Sequence, residues 1–117
     1  MTLDEINAVT LSVTDMARSF EFYTKLGFTA AYGGPGASFT SFRVGGQFLN
    51  LDLSPDYQRS PGWGRTIFHV SDVDAMHSRA LNAGLTPEMA PSDAPWGERY
   101  FHILDPDGHE LSFAKRL

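Results

Sequence analysis

There is no cysteine in the 117 residues. Disulfides, thiolate metal sites and thiol nucleophiles are therefore excluded. No apolar run approaches the roughly 20 residues that a membrane-spanning helix needs, so no membrane association is expected. Basic residues are few, nine Lys and Arg against 14 Asp and Glu, for a formal charge of −5. A nucleic-acid partner wants a basic stripe, so none is expected. Met1 to Glu5 lacks the basic start and apolar run of a secretory signal, which makes the cytoplasm the expected location. Gly33-Gly34-Pro35-Gly36 lacks the Lys-Ser/Thr ending and following helix of a phosphate loop. Asp105-Pro106-Asp107-Gly108 lacks the further spaced ligands of a calcium loop and reads as a turn. No Ser-His-Asp set is suggested.

What is present is a repeat. Val13-Thr14-Asp15-Met16 opens a segment that stops at Gly27-Phe28; Val70-Ser71-Asp72-Val73 opens another that stops at Gly84-Leu85. The same interval separates both pairs of ends. Two equivalent units can pack about a pseudo-twofold axis and share one ligand site. One domain is expected, with a first module over about 5–54, a linker over about 55–64 and a second module over about 65–117. Modules this short rarely bury enough apolar surface alone.

Ala8 to Val13 alternates, with Val9, Leu11 and Val13 on one face, as a half-buried strand does. Asp15 or Thr14 can cap a helix whose apolar stripe takes Met16, Ala17, Phe20, Phe22, Tyr23 and Leu26. Gly27 fits the left-handed stop. Strands are expected over 28–32, 38–44 and 48–53, the last two as a hairpin around Gly45-Gly46. In the second half the order repeats: a strand from Arg65 to Val70, a helix from Asp72 to about Ala83, and a short strand from Leu85 to Met89. A loop carrying Trp96 follows, then a closing hairpin over 99–104 and 110–114. Each half is β-α-β-β-β, giving an α+β fold.

Val9–Phe28 (VTLSVTDMARSFEFYTKLGF), Phe68–Leu85 (FHVSDVDAMHSRALNAGL) and Pro95–Phe113 (PWGERYFHILDPDGHELSF) resemble the vicinal oxygen chelate superfamily. That family holds glyoxalase I, extradiol dioxygenases, fosfomycin-resistance proteins and bleomycin-resistance proteins. The resemblance covers essentially the whole chain. It implies two βαβββ modules whose curled sheets form a cup, and it does not fix an activity. In metal-dependent members, the first strand of each module supplies a histidine and the last strand a glutamate. On that match the slots hold Ala8, Arg65, Asn50 and Ser112. Ala8 has no donor atom, Arg65 is permanently cationic, and Asn50 and Ser112 are weak neutral donors. No metal and no cofactor is therefore expected. An atypical set of His69, His102 and Glu110 stays open.

The subset without this metal site is best represented by the bleomycin-resistance proteins, small acidic proteins that hold a basic drug in aromatic-lined grooves between two subunits. Pro95-Trp96-Gly97 resembles the stretch that lends an indole there. The resemblance implies a homodimer that binds a small antibiotic-like or aromatic molecule without turnover. The alternative is an enzyme of the same superfamily, either metal-dependent with displaced ligands or a metal-free acid-base catalyst using His69 and Glu110. No catalytic residue is assigned. The expected ligand-binding residues are Trp96, Arg65, His69, Glu110, Ser112, Asn50 and Phe48.

Each has a structural reading beside it. Trp96 is a platform or a packing residue. Arg65 anchors a ligand anion or pairs with Glu110 or Asp52. Phe39, Phe42 and Phe48 line the cup or pack the core. Trp63 anchors the linker, and His77 and His109 are expected to face solvent.

Overall fold

The computed structural model describes every residue from Met1 to Leu117, and the chain divides into two units, Met1–Gln58 and Arg59–Leu117. The first runs β1 (Ala8–Val13), α1 (Met16–Lys25), β2 (Thr29–Tyr32), β3 (Phe39–Val44) and β4 (Gln47–Leu53). The second runs β5 (Arg65–His69), α2 (Val73–Asn82), β6 (Ser92–Ala94), β7 (Glu98–Leu104) and β8 (Glu110–Arg116). The fold is α+β, with two four-stranded mixed sheets and two helices.

In each unit the first strand lies parallel to the last, and the other pairings are antiparallel. The strand orders are β1-β4-β3-β2 and β5-β8-β7-β6. A parallel pair needs a long crossover, and the helix lies within it. Asp15 caps α1 by accepting from the Arg18 amide at 3.0 Å. Asp72 caps α2 by accepting from the Ala75 amide at 2.9 Å. Gly27 (φ 97°) and Gly84 (φ 81°) end the two helices in the left-handed region, where a Cβ would clash.

One face of each sheet holds the core. In the first unit Leu11, Val13, Leu49, Leu51 and Phe42 are buried against Met16, Ser19, Phe22, Tyr23 and Leu26. The positions 16, 19, 23 and 26 share one face of a 3.6-residue helix. Ala17 lies about 100° from Met16 and is exposed, which corrects its expected place in the stripe. Tyr23 packs on Phe42 and edge-on to Phe28, with centroids 5.6 and 5.3 Å apart. In the second unit Phe68, Phe101, Ile103, Leu111 and Phe113 are buried, as are Val73, Met76 and Ala80 of α2. Burying one such side chain contributes about 1.5–3 kcal/mol.

The short strand expected over 85–89 is not formed. Leu85 instead closes α2, its amide donating to the Ala80 carbonyl at 2.9 Å. Pro87 has no N–H to offer a ladder. The edge strand of that sheet is β6, inside the expected loop, with Ser92 opposite Tyr100 and Ala94 opposite Glu98.

Candidate functional site

Side chains alternate across a strand. The residues of the second sheet that turn away from α2 are therefore Arg65, Ile67 and His69 on β5, Glu110, Ser112 and Ala114 on β8, and Glu98, Tyr100, His102 and Leu104 on β7. Register brings the charged ones together: Arg65 lies opposite Glu110, and His102 opposite Ser112. The Arg65 Nε donates to Glu110 Oε1 at 2.8 Å. Its Nη1 lies 3.4 Å from His102 Nε2. A guanidinium can only donate, so Nε2 must accept and the imidazole proton sits on Nδ1. That Nδ1 is buried and has no hydrogen-bond partner.

The electrostatics follow from this packing. Burial and then the Arg65 charge hold His102 below its ordinary pKa of 6.5, while Glu110 opposes them. The Glu88 amide donates to the His102 carbonyl at 2.9 Å, which brings a second carboxyl to the face. Burial, the hydrogen bond to Glu110 and the Glu110 charge push Glu88 above its ordinary 4.5, against the pull of Arg65. The face therefore brings together two carboxyls, Glu88 and Glu110, with a guanidinium and an imidazole whose charged form is disfavoured.

A pH dependence follows. Below about pH 6.5 the unfolded chain protonates His102 while the folded chain resists, so the unfolded state binds more protons and stability falls on acidification. Glu88 acts with the opposite sign. Its folded pKa is raised, so the stability it contributes is present at low pH and is lost as pH rises above 4.5. Between these values the two oppose. His102→Gln is expected to flatten the fall in melting temperature between pH 7 and 5.5. An unchanged slope would refute the assignment.

An aromatic ladder borders this charged cluster. Ala94 to Gly97 is a tight turn, closed by the Gly97 amide on the Ala94 carbonyl at 3.0 Å. It carries Trp96, which is 68% exposed. The indole stacks on Tyr100 (centroids 5.9 Å, 28°), and Tyr100 lies 5.0 Å from the His102 ring. The indole N–H donates to Glu98 Oε1 at 3.0 Å. Glu98 Oε2 is 3.4 Å from His69 Nε2. Arg99 stiffens the support from the opposite face. It makes two bonds to Asp74 at 2.9 and 2.8 Å and one to Asp93 at 3.0 Å, tying β7 to α2 and β6. These bonds depress the Asp74 pKa and raise that of Arg99.

Four of the expected ligand residues, Trp96, Arg65, His69 and Glu110, thus share one face. Ser112 lies on the same face of the central strand but is only 3% exposed. Asn50 and Phe48 belong to the first unit. There Asn50 accepts from Ser41 Oγ at 2.6 Å and donates to Thr10 Oγ1 at 3.2 Å. The Arg43 guanidinium sits 5.0 Å over the Phe48 ring. Phe42 is core, and Phe39 and Phe48 are half-buried.

Two histidines differ from expectation. His109 is buried, at 3% exposure, because Trp63 covers it and donates Nε1–H to its Nδ1 at 3.0 Å. His77 is half-buried, with its ring edge-on to Phe101 at 5.1 Å. Sequence reading missed Glu88, Glu98 and Tyr100. The alternation Glu98-Tyr100-His102 was the signal for two of them; nothing local marked Glu88.

The family model described as Glyoxalase/Bleomycin resistance protein/Dioxygenase superfamily matches residues 5–113. The chain belongs to this superfamily. It is 32% identical over 114 residues to the metallothiol transferase FosB of Shouchella clausii, covering 91% of this chain and 76% of that protein. An uncharacterised Mycobacterium bovis protein is 50% identical over 46 residues, 39% of this chain; the match spans only 30% of that relative's length. A solved bleomycin-binding protein complexed with bleomycin superposes with a TM-score of 0.78 at 20% identity, covering 98% of this chain and all of that one. At that identity the likeness shows the fold.

The resemblance to metal-dependent members of the glyoxalase superfamily implies ligand slots at Ala8 and Asn50 in the first unit and at Arg65 and Ser112 in the second, each taken in its own unit. The residues present do not fit a divalent ion. Ala8 has no donor, Arg65 is spent on Glu110, the Asn50 amide is spent on Ser41 and Thr10, and Ser112 is buried. His69, His102 and Glu110 do not converge either: His69 faces Glu98, while His102 and Glu110 face Arg65.

Proposed function

We propose that this chain is a metal-independent binding protein that holds a small planar molecule on the outward face of β5, β7 and β8, without turnover. The observation that carries this reading is the Trp96 indole, exposed yet stacked on Tyr100 and tied to Glu98, beside the paired Arg65, Glu110 and His102. A flat exposed ring supplies stacking, and a few convergent polar groups select orientation. The bleomycin-binding neighbour supports bleomycin as the first ligand to try, and antibiotic sequestration in the cytoplasm is the biological setting we propose. Calorimetric titration of bleomycin and of planar heteroaromatics into the purified protein tests the reading. Saturable one-site binding with no product formed supports it; absence of binding across the set refutes it.

The carboxyl pair favours one second reading, a metal-free acid-base catalyst. Glu88 lies against Glu110 beside Arg65, with its carboxyl held above the usual range by burial and by Glu110, and perturbed carboxyls of this kind recur at catalytic sites. Ligand turnover that is lost in Glu110→Gln decides for it.

The assembly belongs to the same proposal. Units of about 58 residues bury a smaller fraction of their unfolded surface than larger domains do, and β2 is an edge strand exposed along its whole length. Unprotected edges invite pairing with another copy. A homodimer with an isologous interface is expected. Light scattering at micromolar concentration checks this, and a strictly monomeric mass would contradict it.

A further inference from the structure

We infer that a cleft of about 380 Å³ beside the linker is a subsite for a small planar anion, such as an aromatic carboxylate, with Arg59 as the charge anchor and Trp63 as the platform. The cleft is walled by Arg59, Trp63, Arg65, Glu88, Gly108 and Glu110, among others. It shares Arg65, Glu88, Leu104 and Glu110 with the face described above but does not involve Trp96.

The charges in the cleft are not equivalent. Arg65 is neutralised by Glu110 at 2.8 Å, and Glu88 hydrogen-bonds to Glu110. Arg59 has no salt bridge, and it is the guanidinium left to recruit an anion. It lies against the turn beneath it. A Cβ built on Gly108 would meet Arg59 Nε at 2.5 Å and Cζ at 2.6 Å, so the guanidinium lies directly over this turn glycine. Gly108 also has φ +85°, which side chains rarely adopt.

The platform is held as firmly. Trp63 is 47% exposed, yet its indole N–H is committed to buried His109 at 3.0 Å. The His109 amide in turn donates to buried Asp105 at 2.9 Å. A large ring fixed at its edge and left open on its face offers stacking at little ordering cost. A guanidinium beside a flat apolar ring suits a ligand that joins an anion to a planar body.

Fluorescence titration of the Trp96→Ala protein with 2-naphthoate isolates this cleft, because Trp63 is then the one tryptophan left and the Trp96 platform is gone. Saturable quenching by 2-naphthoate is expected, with 2-naphthylmethanol and acetate binding at least about tenfold more weakly. Adding Arg59→Gln is expected to weaken naphthoate by at least about tenfold at an unchanged melting temperature, and Arg59→Lys to restore part of it. Equal binding of the acid and the alcohol, full affinity in Arg59→Gln, or no saturable quenching would overturn the proposal. None of these outcomes depends on whether Trp96 binds a ligand, so the two sites fail or stand separately.

Discussion

Phe113→Ala is expected to destabilise the protein by about 3–5 kcal/mol. Phe113 is 1% exposed and lies on β8, the central strand that pairs with both β5 and β7. Its ring stacks on Phe68 at 5.5 Å and on Phe101 at 5.4 Å. Removing it deletes transfer free energy and leaves a cavity between two rings fixed to neighbouring strands, which limits collapse. Typical domains are stable by only about 5–15 kcal/mol, so the loss is a large share. Urea unfolding followed by circular dichroism should show a lower midpoint with little change in slope. A cost below about 1 kcal/mol would mean that the aromatic stack is not the core of this unit. The other face of β8 carries Glu110 and Ser112, so the same stack holds the floor of the binding face.

Trp96→Ala is expected to weaken binding of the ligand by at least about tenfold, with little loss of stability. Truncating a central aromatic anchor typically costs about 2 kcal/mol or more in binding, roughly thirty-fold. The small effect on folding follows from exposure. The indole covers Tyr100 and bonds to Glu98, and both keep other partners in His102 and His69. Titration beside melting curves separates the two effects. Normal binding by Trp96→Ala, or a variant that simply unfolds, would make Trp96 a packing residue.

The parts of the fold that rest on local chemistry were legible. Val9, Leu11 and Val13 alternate, Asp15 and Asp72 cap, and Gly27 and Gly84 stop, all within a few residues of one another. The errors arose where a residue outside the segment's own pattern decides. Leu85 to Met89 has strand-like composition, but Pro87 removes a donor and Leu85 is drawn back to Ala80. His109 follows a turn and looks exposed until Trp63, far away in sequence, closes over it. Arg65 was readable as a cup-facing charge with Glu110 or Asp52 as partner. Register across β5 and β8 selects Glu110. Glu88 reaches the site through a single backbone bond to His102, which no spacing encodes.

Metal-independent binding of a planar small molecule through Trp96 and Arg65 is the function proposed for this glyoxalase-superfamily chain. Calorimetric titration of bleomycin into protein stripped with a strong chelator, repeated with added zinc, manganese and nickel, tests it most directly. One saturable site is expected, with an affinity that is the same with and without metal and falls at least about tenfold in Trp96→Ala. Binding or turnover that appears only when a metal is restored would contradict it.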